Sequence, residues 1–185
     1  MFPPLSDLYK VLNWHYIDRD RQPGESVGIF SVLPKELADQ FPPKQGHDNS
    51  PPHVTICYIG DIPLIWENKV VAVVEAVCSK FRPFTVRLGS PKKLINPKGE
   101  EVFYSPVKSK KLYDFHDYLK QTLLLNQIPV DSKFPEYKPH VTIEYVEQGC
   151  ERKFADICPT GEWQIDSVWL WGGAEPHIVH LGKHR

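Results

Sequence analysis

Seven residues, Pro-His-Val-Thr-Ile-x-Tyr, occur twice in this chain, at Pro52–Tyr58 and Pro139–Tyr145, and the copies differ only at Cys57 and Glu144. Val, Ile, Thr and Tyr favour a pleated, half-buried backbone, so each copy reads as a strand. Side chains alternate along a strand. Strict alternation puts His53, Thr55 and Cys57 on one face and Val54, Ile56 and Tyr58 on the other. In the second copy His140, Thr142 and Glu144 oppose Val141, Ile143 and Tyr145. The apolar faces are expected to enter the cores of two similar lobes. The His/Thr faces are expected to line a groove between them as two equivalent half-sites.

The 185 residues suit one domain, or two intimately joined lobes, and can bury a core without disulfide staples. Apolar residues at 41% and charged residues at 24% are ordinary for a soluble globular protein, so composition favours neither a disordered nor a membrane-embedded chain. No run of about 18 apolar residues is present to span a bilayer. Met1–Asp20 lacks the basic start and apolar block of a secretory signal. None of Cys57, Cys78, Cys150 and Cys158 stands in a C-x-x-C pair, and Cys78 falls in an apolar helical pattern. A reducing cytoplasmic location is expected, and a monomer. The net charge of −1 argues against coating long nucleic acid by bulk electrostatics. Positive charge is nevertheless concentrated between Lys80 and Lys111, including Lys92, Lys93 and Lys108. This is either a solvated basic face or a local attraction for phosphate.

Along the chain, a strand is predicted over 25–33, a short helix from Pro34 to Gln40, the first repeat strand ending at Gly60-Asp61, and a long helix over 63–80. Strands follow at 84–88 and 101–107, a second long helix at 110–125, and then the second repeat strand. A short helix over 151–157 and closing strands over 163–172 and 177–181, joined by Gly172-Gly173, complete it. Residues 1–22 form an N-terminal extension packed on the domain. Each half thus has a long helix and a motif strand. The expected fold is α+β, one bilobal domain over 1–185 of two similar antiparallel-sheet lobes with outer helices and a central cleft.

Two imidazoles and two hydroxyls converging on one groove suit cleavage of a phosphate ester. A neutral imidazole removes a proton from the nucleophile while the other, as imidazolium, protonates the departing oxygen. An ordinary pKa near 6.5 lets histidine hold either role near neutrality. The threonines can donate hydrogen bonds to non-bridging phosphate oxygens. The other histidines form no H-E-x-x-H or Cys/His cluster, so neither a metal nor another cofactor is expected. Bases often stack on aromatic rings. Tyr104, Trp169, Trp171, Trp14 and Tyr16 are the candidates; most are expected in the core, with Tyr104 offered to the ligand. Lys92, Lys93 and Lys108 are candidates to steer phosphate. Glu144 is a candidate for what makes the half-sites unequal.

His53-Val54-Thr55 and His140-Val141-Thr142 each match the H-x-[T/S] signature of the two-histidine (2H) phosphoesterases. Over about 25–182 the chain resembles that superfamily, which includes the LigT-like RNA 2′,3′-cyclic phosphodiesterases, also called 2′-5′ RNA ligase-like proteins. Ser50–Asp61 is also similar to LigT-like proteins carried by bacteriophages, for which the location would be the host cytoplasm. The resemblance implies a bilobal fold with both motifs in the cleft, His53 and His140 as the acid–base pair, and Thr55 and Thr142 as phosphate binders. It implies metal-independent hydrolysis of a 2′,3′-cyclic phosphate, or of a 2′-5′ or 3′-5′ linkage, in an RNA end or a small or cyclic oligonucleotide. Some phage relatives resemble anti-defence enzymes that cut cyclic oligonucleotide messengers. A nucleotide-binding module without turnover is the alternative on the same fold.

Overall fold

A computed structural model of the chain describes residues 26–42, 51–62, 66–96, 99–131, 136–146, 157–171 and 176–182. The expected N-terminal extension, residues 151–156 of the short helix expected over 151–157, and the Gly172-Gly173 junction lie outside them. Nine strands are described: β1 (Val27–Val32), β2 (His53–Gly60), β3 (Phe84–Leu88), β4 (Lys92–Ile95), β5 (Glu101–Lys108), β6 (His140–Val146), β7 (Glu162–Ile165), β8 (Ser167–Trp171) and β9 (His177–His180). Three helices accompany them: α1 (Lys35–Ala38), α2 (Glu67–Cys78) and α3 (Lys110–Leu125).

The strands follow the order β7-β3-β5-β6-β2-β1-β8-β9, with β4 paired to β5, and the recorded pairings are antiparallel. The two motif strands are therefore neighbours at the centre. Lobe one holds β1, β2, β8 and β9; lobe two holds β3 to β7. They are joined through β2 and β6, where the register is Val54↔Val141. This is the α+β bilobal architecture, with the lobes hinged on their own motif strands.

One side of the sheet and the apolar faces of the helices form one hydrophobic cluster. Val70, Val73, Val74, Val77 and Cys78 recur at helical spacing on α2, and Leu112, Phe115, Leu119 and Leu123 do so on α3. Phe115 packs edge-on against Phe81 and tilted against Phe84, which ties α3 to the end of α2 and to β3. Val54, Ile56, Val141 and Ile143 supply the same core from the motif strands, each at most 4% exposed, so this face is turned from solvent.

Two expectations need correction. The strand expected over 163–172 is two strands, β7 and β8, which separate at Asp166 and pair with different lobes. The periodicity gives no sign of β4. All four of its side chains are exposed, and a charged edge strand carries no apolar alternation to announce it.

Candidate active site

Both motif strands depart from strict alternation at the same point of the repeat. Against β1, Ile29 pairs with Cys57 and Phe30 with Thr55, so Ile56 is an extra residue in β2. Against β5, Phe103 pairs with Glu144 and Tyr104 with Thr142, so Ile143 is the extra residue in β6. A β-bulge of this kind sets two successive side chains on one face and reverses the alternation beyond it. Burial follows that reversal: Cys57 is 3% exposed beside Ile56, whereas Tyr58 is 37% and Tyr145 57% exposed. Cys57 thus belongs to the core, and burial pushes its thiol up to about 12. Glu144 falls on the face of Phe103, away from the histidines. The expectation that Cys57 and Glu144 look onto the ligand, and the tyrosines into the core, is reversed at both copies.

Before the bulges the phase is as expected. His53, Thr55, His140 and Thr142 are all half-buried, while Val54 and Val141 between them are fully buried. Extending the Val54↔Val141 register by one residue each way sets His53 opposite Thr142 and Thr55 opposite His140. Directly opposed residues have Cβ atoms about 4.5–5.5 Å apart. By that register the four side chains stand on one face of the sheet, two on each side of the Val54–Val141 seam.

The rings are fixed in matching ways. His53 Nδ1 lies 2.8 Å from the Pro51 carbonyl oxygen, and His140 Nδ1 lies 2.6 Å from that of Lys138. A carbonyl can only accept, so Nδ1–H is the donor in both. Nε2 is then the nitrogen that takes up or releases the further proton. The prolines preceding the histidines are pinned alike: the Pro52 carbonyl accepts from Leu33 N–H at 3.0 Å, and the Pro139 carbonyl from Val107 N–H at 2.8 Å. Each imidazole also meets an aromatic edge, Phe30 at 4.7 Å from His53 and Tyr104 at 5.2 Å from His140. Phe30 pairs with Thr55 and Tyr104 with Thr142, so these rings are equivalent under the same pseudo-two-fold. Sequence reasoning misses Phe30; its signal is the aromatic-Ser pair, Phe30-Ser31 and Tyr104-Ser105, which precedes both motifs. Gly28 leaves room for it, because a Cβ there would collide with the Phe30 ring.

The remaining candidates divide by face. Lys92 pairs with Tyr104, and Pro106 with His140, so Lys92 and, two residues beyond Pro106, Lys108 share the side of the histidines. Lys93 pairs with Phe103 on the other side, where its Nζ lies 2.9 Å from Glu101 Oε1. Trp169, expected in the core, pairs with Phe30 and is half-buried on the His53 side, while Val168 and Leu170 point into the core. Trp171 pairs with Gly28. Trp14 and Tyr16 lie outside the described residues.

Where β2 parts from β6, its carbonyls are met by side chains and backbone of the second lobe. His116 Nδ1, on α3, is 2.6 Å from the carbonyl oxygen of the bulge residue Ile56, and Tyr137 donates its hydroxyl to the Thr55 carbonyl at 3.0 Å. The two rings stack at 3.7 Å and 4°. Asp131 N–H donates to the Tyr58 carbonyl at 2.9 Å. Burial lowers the His116 pKa, opposed in part by the Ile56 carbonyl, and raises that of Tyr137 well above its ordinary value. Among the described residues, no three His, Cys, Asp or Glu side chains are grouped as metal ligands, and no helix is long and apolar enough to cross a membrane.

A family model for the 2′-5′ RNA ligase superfamily matches residues 32–175, a span that includes both motif strands. The chain belongs to the 2′-5′ RNA ligase superfamily. No curated protein matches it in sequence. Solved structures share its fold. TT0787 of Thermus thermophilus is similar over 84% of this chain and 94% of its own, with TM-score 0.62 and 16% identity. E. coli LigT, complexed with NADP+, is similar over 86% and 96%, with TM-score 0.53 and 15% identity. Usb1 of Kluyveromyces marxianus is similar over 86% and 99%, with TM-score 0.59 and 9% identity. At these identities the likeness establishes the superfamily's fold.

Proposed function

We propose that this protein is a phosphodiesterase that hydrolyses a ribose-linked phosphodiester, in a 2′,3′-cyclic phosphate RNA end or a short or cyclic oligonucleotide, by acid–base catalysis between His53 and His140. The observation that carries the reading is the matched anchoring of the two imidazoles. Each gives Nδ1–H to the carbonyl two residues before it, on the same face, across one strand pair. That arrangement supports proton transfer at both Nε2 atoms.

In the reaction one Nε2 takes a proton from water as its oxygen attacks phosphorus. The other, protonated at the start, delivers its proton to the ribose oxygen as the P–O bond breaks. Thr55 and Thr142 donate to the non-bridging oxygens, whose charge grows in the transition state. Each threonine is beside the histidine of the other lobe, so one phosphate can touch all four side chains. The superfamily match supports phosphoester chemistry, and E. coli LigT has been crystallised with 3′-AMP, with ATP and with phosphate, each a phosphate-bearing ligand.

The test uses EDTA-treated protein with 2′,3′-cyclic mononucleotides, 2′-5′ oligoadenylate and cyclic dinucleotides, with products identified by mass. Turnover with a bell-shaped pH profile is expected. His53→Ala and His140→Ala should each lower kcat by roughly 100- to 10,000-fold. Full activity in both variants would overturn the assignment.

A further inference from the structure

The half-sites match closely at the centre of the cleft and diverge at its flanks. Moving outward from β2, the residue paired with Phe30 is Trp169; moving outward from β6, the residue paired with Tyr104 is Lys92. These positions are equivalent under the pseudo-two-fold. Each stands two strands from its motif strand, or about 10 Å at a spacing of about 4.8 Å. Lobe one therefore offers an indole where lobe two offers an ammonium. Lys108 strengthens the contrast: a Cβ on Gly89 would stand 3.0 Å from Pro106 Cγ and 3.1 Å from Lys108 Cε, so both side chains lie over the same glycine on the cleft side of lobe two.

A ribose 2′,3′-cyclic phosphate has a matching polarity. The base leaves from C1′, next to C2′, and a 5′-phosphate leaves by way of C4′, next to C3′. Seen from the reacting phosphorus, base and 5′-phosphate diverge to opposite sides. Resting on the phosphodiesterase reading above, we propose that the cleft reads its substrate in one direction. The base stacks on Trp169 in lobe one, and a second phosphate, on the 5′ side of the same nucleoside, is held by Lys92 and Lys108 in lobe two. O2′ then faces lobe one and O3′ faces lobe two. The preferred substrate is a cyclic-phosphate end that carries a further phosphate, which a bare cyclic mononucleotide lacks.

The minimal pair is adenosine 2′,3′-cyclic phosphate with and without a 5′-phosphate. For the native chain, kcat/KM should be about tenfold higher with the 5′-phosphate, the size of one charge-assisted contact. Lys92→Gln should reduce that preference, and Lys92→Gln with Lys108→Gln should abolish it. Lys35→Gln, which removes the same charge from the exposed Lys35–Asp39 pair on α1, should keep it. Trp169→Leu should raise KM for both compounds by roughly 5- to 100-fold, and Trp169→Phe should restore most of it. A preference that survives undiminished in the Lys92→Gln, Lys108→Gln double variant, or a KM unmoved in Trp169→Leu, overturns the proposal. If the native chain turns over neither compound, the phosphodiesterase reading fails by itself. The polarity is then read by calorimetry with 3′-AMP and adenosine 3′,5′-bisphosphate. Tighter binding of the bisphosphate, lost in the Lys92→Gln, Lys108→Gln double variant, supports it; equal or absent binding of the two overturns it.

Discussion

His53 and His140 work, on the proposed reading, because two neighbours hold each ring: a carbonyl behind Nδ1 and an aromatic edge beside it. The threonines are half-buried and face the cleft, so trimming their hydroxyls should affect chemistry and spare the fold. Thr55→Val and Thr142→Val should each lower kcat by roughly 100- to 1,000-fold, as loss of a transition-state donor does. The thermal midpoint should stay near that of the native chain, which differential scanning calorimetry would check. These four residues are legible in the sequence because the repeat isolates them. Phe30 is not, since one phenylalanine in an apolar strand looks like any core residue until its cross-strand partner is known.

At the scale of elements, the bulges at Ile56 and Ile143 decide which letters of the repeat see the ligand. Periodicity alone locates both motif strands, β3 and α3 to within a residue. It cannot locate an extra residue, because a bulge is defined by the partner strand's register. Hence strict alternation assigns the positions after the bulge, Cys57 with Tyr58 and Glu144 with Tyr145, to the wrong faces. The β2 bulge also depends on residues distant in sequence. Tyr137→Phe keeps the stacked ring but removes the donor to the Thr55 carbonyl, and urea unfolding should show a loss of about 1 kcal/mol. His116 adds a pH dependence. Its pKa is lowered in the fold from 6.5, so at pH values between the two the unfolded chain binds more protons. Its contribution is therefore present above about pH 6.5 and is lost as pH falls below it. His116→Gln, whose amide can still donate to the Ile56 carbonyl, should flatten the slope of stability against pH on that acid side, as read from midpoints between about pH 5 and 7.

Across the whole molecule, one hydrophobic cluster underlies both lobes. Phe115, fully buried, touches Phe81 and Phe84 and stands one residue before His116, the ligand of the β2 bulge. Phe115→Ala should cost about 3–5 kcal/mol. Both lobes should unfold in a single transition, with tryptophan fluorescence and far-UV dichroism changing together. Two similar lobes, a cleft and paired half-sites follow from the sequence pattern; the order of strands, with the motif strands adjacent, comes only from the register. That adjacency has a mechanical meaning. His53 and His140 sit on opposite sides of the Val54–Val141 seam. A tilt of one lobe against the other, with no change inside either, alters the gap between the two imidazoles. On the proposed reading, aperture and catalytic spacing are one degree of freedom. A substitution at the seam should therefore shift the size of substrate accepted and the rate together, whereas one at a flank, such as Trp169, can change the choice of substrate alone.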